Sequence, residues 1–248
     1  QTSALIDGAP VDQLMRQIPL DLGPVATPGF DDFVEGGNTE ALAWLSQWPA
    51  PGFTQSPVYL WGPAGAGKTH LLRALVEKAL ALQFGVIWLS AHNAQIWDAP
   101  DDASPTLAVI DDCDQLDTHN QHLAFNLFIE SATAGRSDIV GGEGVPMLGI
   151  VAAGRLPPVD LPVRDDLRTR LGWGLTFGLQ PLDEVGVKDA LQNEAARRGI
   201  ALADGVVSYL LTRYTRDMGF LMGLLERLDR FALAEHRTVT VPLLKQML

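Results

Sequence analysis

The sequence predicts an α/β protein: a parallel sheet with helices on both faces, followed by a small all-α domain. Three observations carry this. Short β-type apolar runs alternate with helical patterning through residues 30–180, the alternation that right-handed strand–helix–strand crossovers produce. The first of these runs, Val58-Tyr59-Leu60-Trp61, meets a glycine-rich turn and then a helical stretch. From Asp183 the strands give way to helical periodicity, with the boundary at Pro181-Leu182. The expected divisions are a leading stretch (1–14), an arm (15–29), an α/β domain (30–180) and a helical domain (181–248).

Composition sets the outer limits. A chain of 248 residues, 47% apolar, holds one large core and room for a second small one. No apolar run approaches the roughly 18 residues of a membrane span, and no basic segment precedes an apolar one as in a signal peptide. The single Cys113 excludes an internal disulfide framework and fits a reducing compartment, so a cytoplasmic location is expected. The net charge of −12 argues against wholesale DNA binding. Residues 1–164 hold 7 Lys/Arg and 19 Asp/Glu, whereas residues 165–248 hold 11 of each, and 9 of those 11 cations are Arg. Arginine suits planar phosphate and carboxylate recognition, but for most of them a solvated helix face is the preferred reading.

Gln1 to Leu14 lack periodicity and read as a tag remnant or upstream extension, with better patterning from Met15. Gln17-Ile18-Pro19-Leu20-Asp21-Leu22, followed by Gly23-Pro24 and Thr27-Pro28-Gly29, has the form of a short apolar peptide on a leash. Such peptides dock into a partner's groove or pack on their own domain. Asn38 is a good N-cap for a helix to Trp48, ended by Pro49-Ala50-Pro51-Gly52. Strand Val58–Trp61 follows, then a helix from Lys68 to about Gln83 and a buried strand Gly85–Ser90. Asp98 to Pro105 reads as an acidic loop. Leu107-Ala108-Val109-Ile110-Asp111-Asp112 is a third strand ending in two carboxylates, and Leu116 to about Ala134 a helix with Leu123, Leu127 and Phe128 on one side. After a Gly141–Gly144 loop come a fourth strand (Met147–Ala153), a short helix (Arg164–Leu171) with Arg168 and Arg170, and a fifth strand (Gly174–Leu179). Helices are expected at Asp183–Arg198, Asp204–Tyr214 and Met218–Ala234. A short extended piece at Thr238–Val241 precedes a last helix from Pro242.

The turn after the first strand is Gly62-Pro63-Ala64-Gly65-Ala66-Gly67-Lys68-Thr69, the Gly-x-x-x-x-Gly-Lys-Thr pattern of a phosphate-binding loop. Its glycines let successive N–H groups converge on an anion, and the following helix aims its positive end at the same place. Lys68 is expected to reach the β- and γ-phosphates and Thr69 to hold Mg²⁺. Carboxylates at the C-terminal end of a parallel strand lie where such sheets bind ligands. Asp111 is placed to hold Mg²⁺ and Asp112 to polarise an attacking water.

Together these pieces resemble an AAA+ ATPase module, and more closely the DnaA type. The resemblance covers residues 16–248. It rests on Phe33-Val34-x-Gly36-x-Asn38, Gly62–Thr69, Val109-Ile110-Asp111-Asp112, Thr169-Arg170-Leu171-Gly172-Trp173-Gly174 and Arg216-Asp217-Met218-Gly219. It implies ADP or ATP with Mg²⁺ as ligand, bound by Phe33, Val34 and Asn38 on the adenine side, by the loop through His70, and by Arg216 from the helical lid. Core packing for Phe33 and capping for Asn38 are equally good readings that can hold together with the adenine-side role, and a surface ion pair with a nearby Asp is the lesser reading of Arg216. No helix-turn-helix follows the lid in this sequence. The arm's Gln17, Leu20 and Leu22 are similar to the peptide that binds the replication sliding clamp.

This layout resembles that of the family's regulatory branch, which inactivates the initiator. The branch implies docking on the DNA polymerase III beta sliding clamp and contact with DNA through the loaded clamp. It also implies an arginine finger, here Arg170, that stimulates hydrolysis of ATP held by DnaA, with self-association as a homodimer or larger. An intramolecular ion pair to Asp165 or Asp166 is the other reading of Arg170. Ala152-Ala153-Gly154-Arg155 departs from the polar residue that many AAA+ modules place after the fourth strand. Vigorous self-hydrolysis is therefore not expected, although a helicase-loader-like ATPase would use the same loop and carboxylates.

Overall fold

The computed structural model describes residues 29–49, 56–91, 93–96, 105–134, 148–203, 205–214, 217–235 and 238–247. The leading stretch, the clamp-type arm with Gln17, Leu20 and Leu22, the loops at 98–104 and 141–144, and Arg216 lie outside them.

Six strands form one sheet: β1 (Val58–Trp61), β2 (Gly85–Ser90), β3 (Asn93–Ile96), β4 (Thr106–Ile110), β5 (Leu148–Gly154) and β6 (Leu175–Gly178), in the order β3-β2-β4-β5-β1-β6. Every pairing is parallel except that of β3, which folds back antiparallel on β2. β3 was not among the expected strands; the other five are found within two residues of their expected bounds.

The sheet is buried on both faces, so its strands are apolar throughout yet divide by parity. Val58, Leu60, Leu107, Val109, Val151 and Ala153 join one core with α1 (Thr39–Leu45) and α2 (Lys68–Ala81), including Leu45, Leu71, Leu72 and Leu75. The intervening Tyr59, Ala108, Ile110, Ile150 and Ala152 join a second core with α3 (Thr118–Ala134) and α4 (Asp165–Leu171), including Phe128, Leu167 and Leu171. A third core belongs to the helical domain: α5 (Glu184–Arg197), α6 (Val206–Arg213), α7 (Met218–Glu235) and α8 (Val241–Met247), centred on Leu191, Leu210, Leu221, Leu225, Leu228 and Leu244. Asp183 caps α5 by accepting from the Gly186 N–H at 2.8 Å. The extended piece expected near Thr238 is a single parallel bridge, Leu202 to Val239.

Asn38 does not cap α1 with its side chain. It is buried and joins the two ends of the α/β domain instead: its Nδ2 donates to the Gln180 carbonyl at 2.9 Å, and the Gln180 N–H donates to its Oδ1 at 2.7 Å. A side-chain amide matches a backbone peptide unit in both directions, so the residues just before the helical domain are tied to the start of α1.

Candidate nucleotide site

The parallel registers bring the C-terminal ends of β1, β4 and β5 to one edge, pairing Trp61 with Gly154 and Ile110 with Ala152. The loop leaves β1 there, with the Gly62 N–H donating to the Gly154 carbonyl at 3.3 Å. Gly65 and Gly67 adopt φ of +77° and +88°, the left-handed region in which a side chain is strained. A Cβ at Gly67 would also stand 2.6 Å from the Phe33 ring. Gly67 leads directly into α2.

Lys68 is buried, and its Nζ donates to the Gly62 and Pro63 carbonyls at 2.8 and 2.9 Å. Both partners are neutral. Burial lowers its pKa from the usual lysine value, with Asp112 and Asp111 pulling the other way. The Thr69 hydroxyl donates to Asp111 Oδ2 at 2.9 Å, and the Asp112 N–H donates to Asp111 Oδ1 at 2.9 Å. Burial, reinforced by the Asp112 charge, raises the pKa of the Asp111 carboxyl. An ammonium held by carbonyls alone and a buried carboxylate beside a hydroxyl suit an anion and a cation respectively. The donor set therefore fits a nucleotide phosphate with Mg²⁺. Among the described residues no group of three or more His, Cys, Asp or Glu is placed to hold a metal ion.

Of the residues expected on the adenine side, Phe33 packs on Gly67 and meets His70 edge-on at 5.4 Å between ring centroids. The His70 Nε2–H donates to the Gly29 carbonyl at 3.0 Å, and burial lowers the His70 pKa. Val34 is half-buried. Pro63 and Ala64 are exposed at the mouth of the loop, and Ala66 is buried under it. Arg216 lies outside the described residues, but its neighbours reach the loop: the Met218 nitrogen lies 3.2 Å from the Cβ position of Gly65. The first turn of α7, capped by Asp217 through the Phe220 N–H at 2.7 Å, thus closes on the phosphate loop.

Arg170 stands apart. Leu167 and Leu171 of α4 belong to the core on the sheet face opposite α2. The expected ion pair does not involve Arg170: Asp165 is paired with Arg168, and Asp166 with Arg164. The Arg170 guanidinium lies 4.0 Å from the Trp173 ring centre and 5.9 Å from that of Phe125.

Three further features were not anticipated. Asp114 accepts from the Arg155 backbone N–H at 3.1 Å and from its Nε at 2.6 Å, holding Arg155 at the end of β5. The Tyr59 hydroxyl donates to the Leu156 carbonyl at 2.7 Å, and burial pushes the adjoining Cys113 thiol up to about 12. Trp173 is 62% exposed. Only the first had a signal in the sequence, an arginine where a small polar residue is usual.

The family model for the bacterial DnaA ATPase domain matches residues 26–95, and that for the Hda lid domain matches residues 183–248. An uncharacterized protein of Haemophilus influenzae is 29% identical over 239 residues, covering 94% of this chain and 98% of that protein. Domain III of the Thermotoga maritima replication initiation protein DnaA shares the fold with a TM-score of 0.70 at 20% identity, over 90% of this chain and 96% of that one. AMPPCP-bound DnaA from Aquifex aeolicus does so with a TM-score of 0.59 at 22% identity, over 82% of this chain and 65% of that one. The chain thus carries a stretch that matches the bacterial DnaA ATPase domain and, after it, one that matches the Hda lid domain, on the fold of DnaA domain III.

Proposed function

We propose that this protein is a nucleotide-bound negative regulator of replication initiation. It holds ADP, docks on the beta sliding clamp through Gln17, Leu20 and Leu22, and stimulates hydrolysis of DnaA-bound ATP by inserting Arg170 into the initiator's site. The observation that carries this reading is the state of Arg170. It is a half-buried cation on α4, on the sheet face opposite α2, beside the Trp173 ring while its neighbouring carboxylates are engaged by Arg164 and Arg168. A guanidinium with no carboxylate partner among the described residues can meet the charge that spreads over γ-phosphate oxygens during phosphoryl transfer, a contribution of about 10³–10⁵ in rate. The reading places the protein in the cytoplasm at the replisome, reaching DNA only through the loaded clamp, and self-associating as a homodimer or larger.

In its own site, Lys68, the loop N–H groups and Arg216 would hold the phosphates, Thr69 and Asp111 the Mg²⁺, and Phe33, Val34, Asn38 and His70 the adenine side. Mg²⁺ there would neutralise phosphate charge. Asp112 is placed to polarise a water.

The intact pairing of Thr69 with Asp111 favours one alternative, a helicase-loader-like ATPase that turns over its own nucleotide. Steady-state turnover by the purified protein separates the two. Turnover near once per second, abolished by Lys68→Ala, supports the ATPase. The regulator is expected to turn over far more slowly. Deleting residues 17–22 is expected to abolish clamp binding and leave ADP binding intact. Full clamp affinity after the deletion removes the arm from the account.

A further inference from the structure

We propose that Trp173 is a positioning residue for Arg170: a rigid, solvent-facing platform that holds the guanidinium in place while leaving its charge unspent. The inference rests on the proposed trans role of Arg170 and adds a residue to it.

The argument begins with the backbone. α4 ends at Leu171, and the Trp173 N–H donates to the Arg170 carbonyl at 3.1 Å. This tight turn brings the two side chains to one side of the helix end. The residue after Trp173 admits little movement, since a Cβ on Gly174 would collide with the backbone of Pro57 just ahead of β1. The Leu175 N–H then donates to the Pro57 carbonyl at 3.1 Å. The indole is therefore carried on a fixed backbone, although 62% of its surface is exposed.

An exposed tryptophan of this kind adds little to the core. Its ring centre lies 4.0 Å from the Arg170 guanidinium, which also lies 5.9 Å from the ring centre of Phe125 on α3. Arg168 and Arg164 differ: each is tied to a carboxylate. A carboxylate partner would restrain Arg170 equally well but would have to be displaced before the cation could meet a phosphate. A ring face restrains a guanidinium through its quadrupole and its flat surface. It leaves the N–H edge free to donate. The consequence is an arginine pre-ordered for an anionic partner, with less rotamer freedom to lose on contact.

The test compares wild type with Trp173→Ala, Trp173→Phe and Arg170→Ala. The readouts are NMR of the Arg170 side chain and stimulation of DnaA-bound ATP hydrolysis on DNA-loaded clamp. In the wild type the Arg170 side-chain resonances, identified by their absence in Arg170→Ala, should be displaced by the ring current. The displacement should disappear in Trp173→Ala and persist in part in Trp173→Phe. Trp173→Ala should lower the maximal stimulated rate about two- to fivefold, the size of an exposed cation–π contact, and Trp173→Phe should restore most of it. The half-saturating concentration, ADP affinity and melting temperature should stay as in the wild type, since the side chain is mostly exposed. An unshifted Arg170 in the wild type, or equal maximal rates for wild type and Trp173→Ala, overturns the platform. A raised half-saturating concentration at an unchanged maximal rate also overturns it, making Trp173 a contact residue only. If the wild type itself fails to stimulate, the proposed function falls and the platform's use falls with it. Stimulation by wild type and Trp173→Ala alike removes the platform alone.

Discussion

Lys68 is a buried cation whose described partners are two carbonyls, and this fixes what its loss should do. A phosphate in the loop would be its counter-charge, and truncating one member of such a pair costs about 2–5 kcal/mol. Lys68→Ala is expected to weaken ADP binding at least about 30-fold by calorimetry. Without nucleotide its melting temperature should hold or rise, because a desolvated ammonium is removed. A drop in apo stability with unchanged ADP affinity would contradict this account of the site. Asn38→Ala removes both bonds to Gln180 and is expected to cost about 1–3 kcal/mol in urea unfolding. Lys68, Thr69 and Asp111 were legible in the sequence because their chemistry is local to one loop and one strand end. The Asn38–Gln180 link was not: the two residues are 142 positions apart, and Asn before an apolar stretch reads as a cap. Trp173 was hidden for a related reason, since its ring beside Arg170 depends on how the chain turns after α4.

Among the elements, the strands that carry the site were readable because burial on both faces makes them continuous apolar runs. β3 escaped because Asn93-Ala94-Gln95-Ile96 has no continuous apolar run, its alternation spans only four residues, and it pairs on one side only. That the lid meets the loop was implied only by the resemblance, through Arg216; the direct approach of α7 to Gly65 depends on the lid's docking and had no local signal. Gly65 is where the two meet, with positive φ and the Met218 nitrogen 3.2 Å from its Cβ position. Gly65→Ala is expected to strain the loop and push α7 away. The expected readout is a loss of ADP affinity accompanied by faster amide exchange in the first turn of α7. Unchanged exchange there would mean that loop and lid are not coupled.

For the whole molecule, the buried histidine sets a pH dependence. Burial lowers the His70 pKa below its ordinary 6.5. As pH falls through 6.5 the unfolded chain takes up a proton that folded His70 refuses, so stability falls with pH in this window. Asp111 works in the opposite sense at lower pH. Its raised pKa makes the folded chain bind the extra proton between the ordinary carboxylate value and the raised one. His70→Gln keeps a donor for the Gly29 carbonyl and should flatten the loss of stability between pH 7.5 and 5.5, read as urea midpoints. An equal slope in both proteins would remove His70 from the explanation. The α/β core followed by a helical lid was legible at this scale from the change of texture at Pro181-Leu182.

The central claim is that Arg170 acts on a neighbour's nucleotide, and the direct measurement is single-turnover hydrolysis of ATP pre-bound to the cognate DnaA on DNA-loaded clamp. Wild type is expected to accelerate it, and Arg170→Ala to lose about 10³ or more of any acceleration due to the guanidinium, with ADP binding intact in both. Equal acceleration by the two proteins would contradict the finger. No acceleration by the wild type would leave the fold standing and bring the self-hydrolysing ATPase forward.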